Sequence, residues 1–213
     1  PGQAGQRTRT ERSDKQRRRC KAQADEEHRA ADGHHVMHQQ KGGAHFLEHM
    51  SFSGTKHFPQ DAWVDYFERL GMKYGRDINA FTGFDRTIYW LSLPVADFGT
   101  QVMDSTLLAV RDILDGVSFE PQLVEQERGV IKEELRGYST GDDFYNLKIG
   151  DGRYIQRMPL GTEQDIETIS RNQLLNYYHQ WYLPQNARLV VVGNVDATYF
   201  EIGVTNLKAI AAH

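Results

Sequence analysis

The chain has 213 residues, 39% hydrophobic and 25% charged, with a formal net charge of −4. That composition suits a soluble globular protein of one domain or two small ones, and the acidic balance argues against a dedicated nucleic-acid binder. No run of 18 apolar residues is present to span a membrane, and a single cysteine, Cys20, excludes an intrachain disulfide framework or a Cys-rich structural zinc site.

Residues 1–41 hold ten Lys/Arg and six Asp/Glu, with Cys20, Val36 and Met37 as the clearly apolar side chains. Such a segment buries too little surface to offset its ordering entropy, so a disordered tail or a solvated helix is expected. Arg17-Arg18-Arg19 reads as a solvated basic stretch, because acidic residues are interleaved with it. A nucleic-acid or anionic-lipid contact is the alternative for it. His34, His35 and His38 cluster in this tail without fold signals around them. The chain begins with Pro1 and no apolar signal segment follows, so it reads as a fragment or processed piece.

From Gly42 onward the pattern is that of a folded α+β domain. A helix is predicted over 43–52, and another over 60–71, where Trp63, Val64, Phe67 and Leu70 recur at helical spacing. Strands are predicted over 77–83 and 87–93 around the turn residues Gly83-Phe84-Asp85. Helices follow over 97–114, over 120–137 with Pro121 in its first turn, and over 171–181. Leu189–Gly193 reads as a short strand buried on both faces or central in a sheet, and a last helix begins near Asp196.

The segment His45-Phe46-Leu47-Glu48-His49 carries the chemistry. Positions i and i+4 share one helix face, so His45 and His49 can aim two imidazoles at one ion, with Glu48 on the same face. Phe46, Leu47 and Met50 fall on the other side as a packing face. Alone, the pentapeptide also fits two surface histidines on an exposed helix. A catalytic zinc also needs a third protein ligand and an open position. In the helix over 120–137, Leu123, Val124, Val130, Ile131 and Leu135 form one apolar stripe at 100° per residue. Glu127 and Glu134 project into the middle of it, whereas Glu125, Gln126 and Glu133 point away. Carboxylates on a buried face call for a compensating cation or hydrogen bonds, and the alternative is a partly exposed stripe with ordinary surface acids. His57 and His179 are lone histidines that read as structural.

These blocks resemble the pitrilysin/insulinase family of metallopeptidases (M16). The resemblance covers about residues 42–200. It rests on His45–Met50, Phe52–Lys56, Gly71-Met72, Asn79-Ala80-Phe81-Thr82, Glu127–Glu134, Pro159-Leu160-Gly161, Tyr182–Asn186 and Leu189–Gly193, and is nearest to the bacterial two-half enzymes.

The resemblance implies a metallopeptidase-like (LuxS/MPP) fold, with an antiparallel sheet and helices packed on one face. It implies one Zn2+ held by His45, His49 and Glu134, with Glu48 as catalytic base and Glu127 supporting the site. Asn79, Ala80, Phe81 and Thr82 then form the strand along which a peptide substrate adds. Further family domains, in the same or a partner chain, are expected to complete a chamber, and the bacterial periplasm is the compartment the family suggests. Family domains begin with two strands before the first helix; residues 1–41 carry no strand pattern, so the sheet is expected to lack them. Two other readings compete: a catalytically silent module lacking its partner domains, and the S-ribosylhomocysteine lyases, whose third ligand is a downstream cysteine. Cys20 lies upstream, which counts against the latter.

Overall fold

The computed structural model describes residues 41–60, 62–94, 101–138 and 158–193. The chain divides into two units, Pro1–Gln39 and Gln40–His213, and every element described belongs to the second. The expected tail, the expected lack of first strands and the helix near Asp196 fall outside the described residues.

The described elements are α1 (Gly43–Ser53), α2 (Ala62–Arg69), β1 (Ile78–Thr82), β2 (Thr87–Leu91), α3 (Gln101–Asp115), α4 (Pro121–Tyr138), α5 (Glu163–Thr168) and α6 (Arg171–Trp181), followed by a 3₁₀ turn at Pro184–Asn186. This is an α+β arrangement. The predicted helices and strands between 43 and 181 recur with ends shifted by a residue or a few. The six-residue α5 was not expected, being too short for periodicity to register. It is held instead by a capping box, in which Thr162 and Asp165 satisfy each other's backbone N–H. Ser170 and Gln173 start α6 in the same way. α2 stops at Gly71, whose φ of 82° suits glycine, with Gly71 N–H donating to Glu68 and Met72 N–H to Phe67.

Two hydrophobic clusters meet on α1. Phe46, Leu47 and Met50 enter one cluster with Phe119, Val124, Ile131, Ile166, Leu174 and Tyr178. Phe52, one turn on, enters the other with Trp63, Phe67, Met72, Ile78 and Val102. α1 therefore packs against α4, α6 and the hairpin at once. Its start is pinned by a close approach of two glycines. Gly42 has φ 75°, and a Cβ there would lie 2.5 Å from Ile166 Cδ1 and 2.9 Å from the Leu160 carbonyl. Gly161, φ 71°, faces it, and a Cβ there would lie 3.0 Å from the Gly42 Cα.

β1 and β2 pair antiparallel, Ile78 with Leu91 through Thr82 with Thr87. Strand alternation turns Ile78, Ala80, Thr82, Thr87, Tyr89 and Leu91 toward α1. Asn79, Phe81, Ile88 and Trp90 occupy the other face, and the last three are exposed. Among the described residues the helices thus lie on one face of this sheet.

Two expectations need correcting. Leu189–Gly193 has no strand structure, and Val190 and Val192 are 71% and 90% exposed. An apolar run becomes a buried strand only when a neighbour pairs its backbone, and no described segment does so. On α4 the buried arc centres on Val124 and Ile131, while Val130 is exposed. Glu127 and Glu134 consequently lie at the flank of that arc, not its middle, with side chains 20% and 33% exposed. The side of α4 toward α1 ends at the carboxylates and leaves them open to solvent.

Candidate functional site

α1 and α4 cross so that the polar edge of one meets the flank of the other. His45 Nε2 lies 3.5 Å, and His49 Nε2 3.2 Å, from the same Glu134 oxygen, Oε2. The donor atoms of His45, His49 and Glu134 all lie within 4.8 Å of one another. A tetrahedral zinc ion with ligand distances near 2.0–2.1 Å sets its donors roughly 3.3–3.4 Å apart. The two histidine–carboxylate separations match that edge, and two imidazoles with a carboxylate are donors that suit zinc. His45 is buried, and its Nδ1 has no hydrogen-bond partner among the described residues, so its polar contacts all lie on the Nε2 side.

Glu127 does not join the three donors. Its Oε2 lies 3.1 Å from His49 Nδ1, on the far side of that ring. The carboxylate can hold the tautomer with hydrogen on Nδ1, which leaves Nε2 as a free donor facing Glu134.

Without a metal, the charges sort themselves sharply. Burial, aided by the neighbouring His49 charge, pushes His45 down to about 4. Burial opposes the charged form of His49 too, but hydrogen bonds to Glu127 and Glu134 outweigh it and hold this imidazole up at about 9. The His49 hydrogen bond draws Glu134 below the usual carboxylate range against burial. Burial raises Glu48, opposed by a hydrogen bond from Thr82 and by the His49 charge.

Glu48 is nine-tenths buried beside this cluster, and the Thr82 hydroxyl donates to its Oε2. Thus Thr82, expected on the substrate strand, also reaches the acid on α1. The other residues of that strand behave differently. The Asn79 side chain is bound locally, to the Gly75 carbonyl at 3.0 Å and the Ala80 N–H at 2.9 Å. Ala80 is partly buried, and Phe81 is 57% exposed.

Sequence reasoning missed two supports. Arg128, the neighbour of Glu127, donates to the Ile166 and Ile169 carbonyls, the latter at 2.9 Å, and its guanidinium sits 5.4 Å from the centre of the Phe46 ring. It ties α4 to the end of α5 and to the ring beside His45. The second support is the buried hydroxyl group of Ser51, Tyr89 and Tyr182 behind α1. Thr87 and Tyr89 alternate onto one face of β2, but nothing local signals that Tyr182 would join them. His57, read as structural, contacts the buried Asp112 through both its backbone N–H and Nδ1, each at 2.8 Å.

Residues 33–144 match the family described as "Insulinase (Peptidase family M16)". The chain belongs to the M16 peptidase family. Residues 168–201 match a second M16 description, "Peptidase M16 inactive domain".

Among M16 relatives, the "Probable zinc protease PqqL" of Haemophilus influenzae is 36% identical over 167 residues, covering 76% of this chain and 18% of the relative. The "Zinc protease PQQL-like" of Arabidopsis thaliana is 30% identical, covering 75% of this chain and 17% of the relative. A crystal structure of the first half of the periplasmic protease PqqL from Escherichia coli superposes with a TM-score of 0.73 at 32% identity, covering 81% of this chain and 38% of that one. The chain therefore spans about a fifth of the length of these curated M16 proteases.

Proposed function

We propose that this chain is the zinc-site domain of a metalloendopeptidase with the metallopeptidase-like (LuxS/MPP) fold. The observation that carries the reading is the convergence of His45 and His49 Nε2 on one Glu134 oxygen at 3.5 and 3.2 Å. These three residues hold one Zn2+. When bound, the ion supplies a Lewis acid that lowers the pKa of water and polarises a scissile carbonyl. Glu48 acts as general base, taking a proton from the attacking water and passing it to the leaving amine. Glu127 orients His49 through Nδ1 and so fixes which nitrogen faces the site.

The substrate is a peptide laid along β1, with Asn79–Thr82 offering backbone N–H and C=O groups as an added strand would use them. β1 pairs on one side with β2 and has no second strand partner among the described residues, which fits that role. Sequence-tolerant backbone bonding suits an endopeptidase. Because the relatives are several times longer, further M16 domains, in the same or a partner chain, complete the substrate chamber. The related periplasmic protease favours the bacterial periplasm as the compartment. No helix among the described residues is long and apolar enough to cross a membrane.

Metal analysis joined to cleavage of an unstructured fluorogenic peptide tests this reading. Glu48→Gln is expected to keep one zinc per chain and lose hydrolysis, whereas His49→Ala loses both. Full zinc content in the His45→Ala/His49→Ala double variant would sink the assignment.

A further inference from the structure

Two groups of hydroxyls lie against α1, one at Ser51 and one at Glu48, and the direction of each hydrogen bond follows from what its partners can do. Each Ser, Thr or Tyr hydroxyl has one hydrogen to give. Ser51 Oγ lies 2.9 Å from the Leu47 carbonyl, which can only accept, so the Ser51 hydrogen is committed there. Tyr89 Oη, 3.1 Å from Ser51 Oγ, must then donate to it. Tyr182 Oη, 2.7 Å from Tyr89 Oη, must in turn donate to Tyr89. Thr82 Oγ1 lies 3.3 Å from Thr87 Oγ1 and can accept its hydrogen. Its own hydrogen goes to Glu48 Oε2, an acceptor.

The Tyr182, Tyr89 and Ser51 hydrogens thus run in turn to a backbone carbonyl of α1, and the Thr82 hydrogen runs to the acid of α1. Thr82 is itself buried and cannot turn to water. We infer that Thr82 is a positioning residue for Glu48: its obligatory hydrogen bond engages Oε2, and Oε1 is left as the oxygen that faces the metal site and takes the proton. This rests on the assignment of Glu48 as the base, and it gives Thr82 a part beyond that of a substrate-strand residue.

The test uses the full chain loaded with cobalt(II), whose visible bands report geometry at the ion. It compares wild type with Glu48→Gln, Thr82→Val and Thr82→Ser, with cobalt content and melting temperature measured alongside. Thr82→Val keeps shape but cannot donate; Thr82→Ser keeps the donor. The expected result is that Glu48→Gln shifts the bands, Thr82→Val shifts them in the same sense at unchanged cobalt content, and Thr82→Ser restores the wild-type spectrum. Wild-type bands in Thr82→Val, when Glu48→Gln shifts them, overturn the positioning role and leave the base assignment standing. A Thr82→Ser spectrum that matches Thr82→Val also overturns it, since the donor would then be irrelevant. Unshifted bands in Glu48→Gln, or no cobalt bound by the wild-type chain, overturn the reading of the site and this inference with it.

Discussion

Glu127 holds His49 from behind: its Oε2 sits 3.1 Å from His49 Nδ1, while His49 Nε2 faces Glu134 at 3.2 Å. One imidazole is thereby stretched between two carboxylates seven residues apart on α4. Only one of the two shares the donor cluster with His45. The difference follows from which ring nitrogen each carboxylate meets.

Removing the outer carboxylate should weaken the site without dismantling it. Glu127→Ala is expected to lower zinc affinity about 10–100-fold, the usual cost of losing a group that orients a metal-bound histidine. Competition with a chelator of known affinity measures this. An unchanged affinity would show that His49 needs no orienting partner.

The protonation states predict the pH dependence of metal binding. At neutral pH His45, pushed down to about 4, is neutral and Glu134 is ionised. His49, held up at about 9, alone among the three still carries a proton that zinc must displace. Binding at pH 7 should therefore release about one proton, and affinity should climb about tenfold per pH unit until it levels near 9. Calorimetry in buffers of different ionisation enthalpy counts the proton directly.

The same imidazole links stability to pH in the metal-free chain. Its folded pKa is raised above the ordinary imidazole value of 6.5, so its contribution is complete below that value and is lost as pH rises through about 9. Metal-free protein should melt progressively lower between pH 6.5 and 9.5. Glu127→Ala, which removes one of the raising partners, should flatten that slope. Melting curves of both proteins across this range decide it.

Arg128 supports the packing of α4. Arg128→Ala strips the Ile166 and Ile169 carbonyls of a charged donor and leaves the Phe46 ring uncovered. A loss of about 1.5–3 kcal/mol per charge-assisted bond is the ordinary scale, reduced where water reaches the freed carbonyls. Urea unfolding should show a destabilisation of about 2 kcal/mol or more. Arg128→Lys should recover only part of it, because an ammonium cannot serve both carbonyls in the planar fork geometry.

At Gly42 the constraint is steric. Gly42→Ala would put a methyl 2.5 Å from Ile166 Cδ1 and 2.9 Å from the Leu160 carbonyl, at a φ of 75°. Side chains can yield there; the backbone oxygen cannot. A cost of about 1–3 kcal/mol from the left-handed backbone alone is expected, with the contact added. Because α1 begins here, zinc affinity should fall as well, and a variant as stable as wild type would contradict the packing described.

The amino-acid sequence by itself determined the local features of this protein. Histidines four residues apart on a helix share a face whatever surrounds them, and Phe46, Leu47 and Met50 point away from it for the same reason. The hairpin was legible too, because alternation and turn residues act over a few residues. Tertiary structure decided everything that depended on a neighbour. It set Glu134 against both histidines and Glu127 against only one, and it left Val130 exposed by centring the α4 contact on Val124 and Ile131. The valines of Leu189–Gly193 stand open because an apolar run becomes a strand only when another backbone pairs with it. Likewise, Thr82 meets Glu48 across 34 residues of sequence because β1 packs on α1, a contact no local pattern could encode.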